Sequence, residues 1–364
     1  MNKFDLPLDT NETIVIWGLG FYGMNCLDFL IDSANIQPAL IVDLIKHESI
    51  SEYRGIPLIS PDMFIENSKS NKYVVLITIR NGSKFDLQIL SSLGVRYYFF
   101  DQIYLHSNHE VGKEIIELLD DDKSKLIFSS LIGNRMLLCD KVSQEIIDDK
   151  QYFCIPDFGR QKNQFFIDCG AYVGDTFETW LAINEGNFAA YLGFDPVPSH
   201  RQSFEARYKR LSKEYDLSRG TVKYVNKFLG GGVKVAVNSS EYSGSNTSLL
   251  NVIPESDHTK SSVSQQISCT TIDEEATMML SEIPNVQSIL LKMDIEGGEF
   301  EALNGAKNFL IKYRPLLAIS VYHRIDDYYR IPLFIKNNVN DYRFFIRHHS
   351  RLADETVLYC QPKH

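Results

Sequence analysis

The sequence predicts an α/β protein made of two doubly wound, Rossmann-like units, the second closed by a C-terminal antiparallel hairpin. Three observations carry this. Two β-branched or aromatic runs, TIVIW and QFFID, each break into a glycine loop and then a helical pattern. After each of them, strands go on alternating with helices, which is the signature of a parallel sheet with crossover helices. The last two apolar runs lie too close together for a crossover, so they should pair antiparallel. A length of 364 residues also exceeds what one core usually fills.

In the first unit, TIVIWG is followed by a helical pattern over 22–32. A second apolar run over 39–42 ends at Asp43. A turn-rich stretch (Arg54, Gly55, Ile56, Pro57) leads to a strand over 73–79, a helix over 85–93 and a strand over 95–100. Residues 1–105 therefore read as a Rossmann-like domain for a nucleotide or sugar nucleotide. Residues 106–162 are rich in Glu, Asp, Lys, Leu and Ile, with helical periodicity over 110–119 and 141–148. Gly, Ser and Pro are too sparse there for a flexible linker, so a helical connector is expected.

The second unit, 163–364, offers strands over 164–168, 189–195, 222–225, 288–294 and 316–322. Helical stretches over 175–183, 198–215, 273–280 and 299–312 alternate with most of them, and another covers 328–337. FFIR over 344–347 and TVLYC over 356–360 make the closing hairpin.

Composition narrows the partners. A formal net charge of −10 argues against nucleic acid, whose binders carry a basic face. The first residues show no basic segment leading into an apolar one, and no apolar run approaches the roughly 18 residues of a membrane span. A cytoplasmic protein is expected, its oligomeric state left open. The six cysteines are scattered and no two are separated by only two residues, which argues against a zinc knuckle or redox pair. Those inside apolar strands should behave as small buried hydrophobes.

The two glycine loops differ in charge. Gly18, Gly20 and Gly23 fit G-x-G-x-x-G directly after a strand, with no acid inside the loop and with Asp43 at the next strand end. Backbone amides there could face a phosphate, or the glycines could only pack helix on strand. The second loop, Asp168-Cys169-Gly170-Ala171-Tyr172-Val173-Gly174-Asp175-Thr176, is bracketed by carboxylates. They oppose a pyrophosphate and suit a ligand with a cationic end. S-adenosylmethionine, with its ammonium and sulfonium, is such a ligand. Asp175 and Thr176 could alternatively cap the following helix. Asp195-Pro196 falls about 20 residues beyond the loop, where an acid accepts hydrogen bonds from ribose hydroxyls.

LLKMDIEGGEFEAL is the densest constellation in the chain. Lys292, Asp294 and Glu296 alternate at a strand end, at the edge where open α/β sheets bind ligands. The following strand ends at His323, a candidate general base for a hydroxyl or amine beside those carboxylates. The same acids could instead hold a divalent cation. No metal ligand is assigned. Glu299 and Glu301 fit a solvated first helical turn.

With these residues placed, the second unit resembles an FkbM-type methyltransferase over nearly its whole length. The resemblance rests on FIDCGAYVGDT, GFDPVPSH, TTIDE, LLKMDIEGGEFEAL and RPLLAISVYHRIDD, in that order. It implies the class I methyltransferase layout, S-adenosylmethionine as cofactor, and O-methylation of a sugar or glycan precursor, free or nucleotide-linked. Many members carry Glu where this chain has Asp195, and many have an acid before the histidine where it has Ser320-Val321-Tyr322. The first unit more loosely resembles nucleotide-binding domains of sugar-modifying acyltransferases. Two other functions fit the residues: an NAD-dependent sugar-nucleotide oxidoreductase or epimerase using the first loop, and a non-catalytic glycan-pathway binding protein.

Overall fold

A computed structural model describes residues 13–69, 71–79, 87–139, 141–231, 236–237, 252–253 and 269–363. The chain divides into two compact units, Met1–Glu114 with Ser129–Val142, and Ile115–Phe128 with Ser143–His364.

The first unit begins with β1 (Thr13–Trp17), α1 (Phe21–Asp28), β2 (Leu40–Val42), β3 (Glu52–Tyr53), β4 (Ile56–Ile59) and α2 (Pro61–Asn67). It continues through β5 (Tyr73–Ile77), α3 (Leu87–Ser92), β6 (Arg96–Phe99) and α4 (Phe100–Ser107). Its sheet has the order β3-β4-β2-β1-β5-β6, parallel except for β3. Of the helix expected over 85–93, residues 85 and 86 lie outside the described residues.

One reading of this unit is corrected. The stretch around Arg54 to Pro57 is no mere turn but the hairpin β3–β4, and β4 extends the sheet beside β2. Ile56 and Leu58 point inward, only 1% and 5% exposed, while Pro57 points out. That period-2 alternation was hidden between the punctuating Gly55 and Pro57. Trp17 meets Phe64 edge-on at 5.3 Å in the core beneath.

Helices α5 (His109–Leu118) and α6 (Asp122–Met136) follow. The helix expected over 141–148 is absent; residues 144–146 form only a 3₁₀ turn. Ile147 instead bridges to His348, and the Asp148 N–H donates to the His348 carbonyl at 2.7 Å. A neighbouring strand claims the backbone groups that a helix would need.

The second unit runs β7 (Gln164–Cys169), α7 (Asp175–Ile183), β8 (Ala190–Phe194), α8 (Pro198–Leu211), β9 (Thr221–Val225) and β10 (Phe228–Leu229). The short β11 (Ala236–Val237) and β12 (Val252–Ile253) pair antiparallel, and β13 (Cys269–Thr270) pairs with β10. Then come α9 (Ile272–Glu282), β14 (Ser288–Met293), α10 (Glu299–Asn304), α11 (Lys307–Tyr313), β15 (Leu316–Ser320), α12 (Asp327–Asn338), β16 (Tyr342–His348) and β17 (Thr356–Pro362).

Seven strands form the main sheet in the order β16-β17-β15-β14-β7-β8-β9. The five from β15 to β9 are parallel, and β16 and β17 close the edge antiparallel. The fold class read from the sequence is the one observed. The helix expected over 299–312 is two helices, broken at Gly305, where a Cβ would lie 2.1 Å from the Gly230 carbonyl oxygen. Trp180, Phe177, Tyr191 and Phe204 fill the core behind β7 and β8. Cys26, Cys169 and Cys360 are buried free thiols. Among the described residues no helix is long and apolar enough to cross a membrane.

Candidate active site

The strand order reverses direction between β7 and β14, and chains leaving such a pair diverge to leave a crevice at their carboxyl ends. Here the crevice is a cavity of ≈ 340 Å³. Gly170, Tyr172, Asp175, Thr176, Asp195, Pro196, Lys292, Asp294 and Glu296, all singled out from the sequence, line it. Asp168, Ala171, Gly174 and His323 do not line it. Gln151, Tyr152, Phe194, His200, Phe228, Leu229 and Glu355 line it without having been anticipated.

The loop after β7 is built by its glycines. Gly170 has φ +82°, and a Cβ there would lie 1.9 Å from the Asp294 carbonyl oxygen. Only glycine lets the loop pass that close to the end of β14. The Gly170 and Ala171 N–H groups both donate to the Phe194 carbonyl at 2.9 Å, which ties the loop to β8. Gly174, at φ +80°, caps α7 and sits against Phe204. Asp175 and Thr176 make no side-chain cap; they are left facing the cavity.

Asp168 does not reach the ligand space. Its side chain is wholly buried, with one oxygen 2.9 Å from Lys292 Nζ and the other accepting from Tyr191 Oη at 2.9 Å. Lys292 also donates to the Gly170 carbonyl at 2.7 Å, and its Nζ lies 3.3 Å from the Cys169 carbonyl. Burial favours the neutral amine, but Asp168 and then Asp294 outweigh it, and Lys292 titrates above its ordinary range. Its protons are committed to the loop. Lys292 is therefore a strut under the donor loop rather than the catalytic group suggested by its place in the motif. One of the two carboxylates that made the loop look acidic is neutralised by it.

Asp195 is built differently. Its Oδ1 accepts from the Val197 N–H at 2.8 Å and stands 2.9 Å from His200 Nδ1, and its carbonyl accepts from Asn226 at 2.7 Å. Oδ2 has no protein partner among the described residues. One oxygen fixes the carboxylate and leaves the other for a ligand. His200 stands edge-on to Tyr172, ring centres 4.4 Å apart.

At the end of β14, Asp294 is held by Tyr152, whose hydroxyl donates to Oδ2 at 2.6 Å. Tyr322 Oη stands 3.4 Å from Asp294 Oδ1 and 3.3 Å from Glu355 Oε1, and Gln151 donates to Glu355 Oε2 at 2.5 Å. Tyr152, Glu296 and Glu355 have φ of +68°, +59° and +58°, a left-handed backbone uncommon for such side chains. Such conformations gather where the surrounding structure holds a site in place. Burial, and then Asp294, push the Glu355 carboxyl up. Glu296 is also raised, first by burial and then by Asp294, with His323 pulling the other way.

One residue here differs from its sequence reading. Glu299 was expected on a solvated helical turn, and Glu301 is indeed exposed. Glu299 instead turns inward, fully buried, and accepts the Ile295 N–H at 2.8 Å. His323 was expected as a general base. Burial would lower its pKa, but Glu299, then Asp294 and Glu296, raise it to about 10.

In the first unit, the glycine loop is already closed on itself. Asp43 Oδ2 accepts from the Leu19 N–H at 2.7 Å, and Oδ1 accepts from Ile45 and Lys46. Burial would raise the Asp43 carboxyl; those three backbone bonds overcome it and hold it below its usual range. The loop that carries no acid in sequence thus has a carboxylate on its amide in space, where it opposes a phosphate. Gly20 is open, Gly18 has φ +105°, and a Cβ on Gly23 would lie 1.9 Å from the Gly18 carbonyl oxygen. Gly23→Ala is accordingly expected to destabilise this unit by about 1–3 kcal/mol. Urea unfolding followed by Trp17 fluorescence in a Trp180→Phe background tests this, and an unchanged midpoint would contradict the close approach.

Residues 168–344 match the family model described as the methyltransferase FkbM domain. No curated protein matches the chain. Among solved structures, methyltransferase FkbM from Methylobacillus flagellatus is similar, at a TM-score of 0.53 and 20% identity, over 96% of this chain and 90% of that one. At that identity the likeness speaks for the fold.

Proposed function

From the premise that residues 168–344 form an FkbM methyltransferase domain, we propose that the protein is an S-adenosylmethionine-dependent O-methyltransferase acting on a sugar or glycan precursor. The observation that carries this reading is a single cavity with Asp195 at one strand end and Asp294 and Glu296 at another. Its volume of ≈ 340 Å³ lies in the usual range for small-ligand sites.

The residues fit the cofactor. In this reading Asp195 Oδ2 accepts from ribose hydroxyls, Phe194, Phe228 and Leu229 give apolar surface to the base, and Gly170 to Tyr172 let the backbone approach the amino-acid end; the support is that all of these but Ala171 line the cavity. Asp175 and Asp294 supply negative charge for its cationic groups. When bound, the cofactor supplies a methyl carbon already activated by its sulfonium. The protein adds alignment and a proton acceptor. Glu296 is the proposed acceptor of the hydroxyl proton: it faces the cavity, makes no hydrogen bond within the described chain, and burial moves its carboxyl toward neutrality. The carboxylates Asp294, Glu296 and Glu355 disfavour a phosphate beside the reacting hydroxyl. Tyr152 offers its ring to a neutral sugar.

Isothermal titration with S-adenosylhomocysteine tests the reading. Wild type should bind, Asp195→Ala should bind at least about tenfold more weakly, a loss of about 1.4 kcal/mol, and Asp195→Glu should retain most of the affinity. A silent wild-type titration, or an Asp195→Ala protein that binds undiminished, sinks it. Mass spectrometry of glycans from cells with and without the protein then looks for the added methyl.

A further inference from the structure

We infer that Asp294, Glu299 and His323 form a divalent-cation site at the inner end of the cavity. Each offers one ligand atom, and these atoms all lie within 4.8 Å of one another. Donors around an ion with bonds of about 2.0–2.2 Å stand about 3–4.3 Å apart, so small side-chain rotations complete the set.

The three come from different elements: Asp294 from the end of β14, Glu299 from the first turn of α10, and His323 from the segment after β15. Asp294 is held on both oxygens, firmly by Tyr152 at 2.6 Å and loosely by Tyr322 at 3.4 Å, while Glu299 keeps one oxygen over. Tyr152 takes Asp294 Oδ2, and Oδ1 is then 3.5 Å from His323 Nε2. The Ile295 N–H takes Glu299 Oε1, while Oε2 is shut off from solvent with no hydrogen-bond partner.

His323 supplies the observation that points to a ligand. Its side chain is only 6% exposed, and neither ring nitrogen makes a hydrogen bond. Yet oxygens crowd it, Glu299 Oε1 at 3.0 Å from Nδ1 and Glu296 Oε2 at 3.6 Å from Nε2. At Nδ1 the approach to Glu299 lacks hydrogen-bond alignment, and at Nε2 the carboxylate oxygens stand no nearer than 3.5 Å. Close approach without hydrogen-bond alignment, in a dry pocket, leaves donors and acceptors desolvated without return. A cation between them would answer all of them together. It would also offset the three carboxylates, Asp294, Glu296 and Glu299, that share this corner.

One imidazole and two carboxylates suit Mn²⁺, Mg²⁺ or a similar ion, and three protein ligands leave coordination positions for water or substrate oxygen. Those positions open where Asp294 lines the cavity. Resting on the function proposed above, the ion would stand beside the acceptor hydroxyl and make it more acidic, with Glu296 receiving the proton.

The test uses the full chain stripped with a chelator, titrated with MnCl₂ and read by the electron paramagnetic resonance of free Mn²⁺. One tight ion per chain is expected, with an electron spin echo modulation from a coordinated histidine nitrogen. Glu299→Gln and His323→Ala should each weaken binding at least about tenfold and abolish that modulation in the His323 variant. No stoichiometric uptake up to about 1 mM, where binding free energy is only about 4 kcal/mol, overturns the site. So does uptake without nitrogen modulation, or uptake undiminished in both variants. Binding of S-adenosylhomocysteine is measured on the same samples. Neither variant lines the cavity, so retained binding certifies their fold. Mn²⁺ uptake without S-adenosylhomocysteine binding would leave this site standing and sink the functional reading, and the reverse pattern would do the opposite.

Discussion

Lys292→Met is expected to destabilise the second unit by about 3–5 kcal/mol, the cost of stranding one partner of a buried ion pair. The substitution leaves Asp168 enclosed beside Tyr191 alone and removes the donor to the Gly170 carbonyl. Burial already pushes the Asp168 carboxyl up against the pull of Lys292, so without that ammonium it should take up a proton. The chain has two tryptophans, Trp17 and Trp180, one in each unit. Urea unfolding in a Trp17→Phe background therefore reports the second unit through Trp180. Removing both charges with Asp168→Asn in the same chain should recover a large part of the loss, because no unpaired charge then remains. A wild-type midpoint for Lys292→Met would show that the strut bears no load.

Glu296→Gln is expected to lower kcat by about 10²–10⁴-fold, the usual worth of a positioned base. Affinity for S-adenosylhomocysteine should hardly change. The sign of the pH dependence follows from the role of a general base. The base works only when deprotonated, so the wild-type rate is full at high pH and falls as pH drops through the pKa of that carboxyl. The variant should lose that limb. If it keeps both the rate and the limb, Asp294 takes the proton instead. The measurement is steady-state methyl transfer across pH, once glycan mass spectrometry has named an acceptor.

Much of this architecture was legible because it is written in local chemistry. The strands announce themselves as apolar runs, and the glycine loop after β7 must be glycine for the close pass by Asp294. Asp195, Asp294 and Glu296 were found because a parallel sheet places every strand end on one edge. What stayed hidden depends on side-chain direction and long-range pairing. Motif position made Lys292 look catalytic, yet strand alternation turns it inward onto Asp168. Glu299 looked solvated because a first helical turn usually is, but α10 packs that turn against Ile295 and His323. Tyr152 and Glu355 carry no motif at all. They arrive through the stretch before β7 and the hairpin before β17, more than 130 residues from Asp294 in the first case.

The walls of the cavity have two origins. Gly170, Asp195, Asp294 and Glu296 lie within residues 168–344, whereas Gln151, Tyr152 and Glu355 lie outside that span and are joined to each other across the pocket. Donor machinery and the outer wall are thus separable pieces of chain. A short turn and a hairpin loop could be exchanged as a pair, like interchangeable jaws on a fixed vice, to change which molecule is gripped. The chemistry at the strand ends would pass to the new molecule intact wherever the replacement keeps a hydroxyl on Asp294 as Tyr152 does.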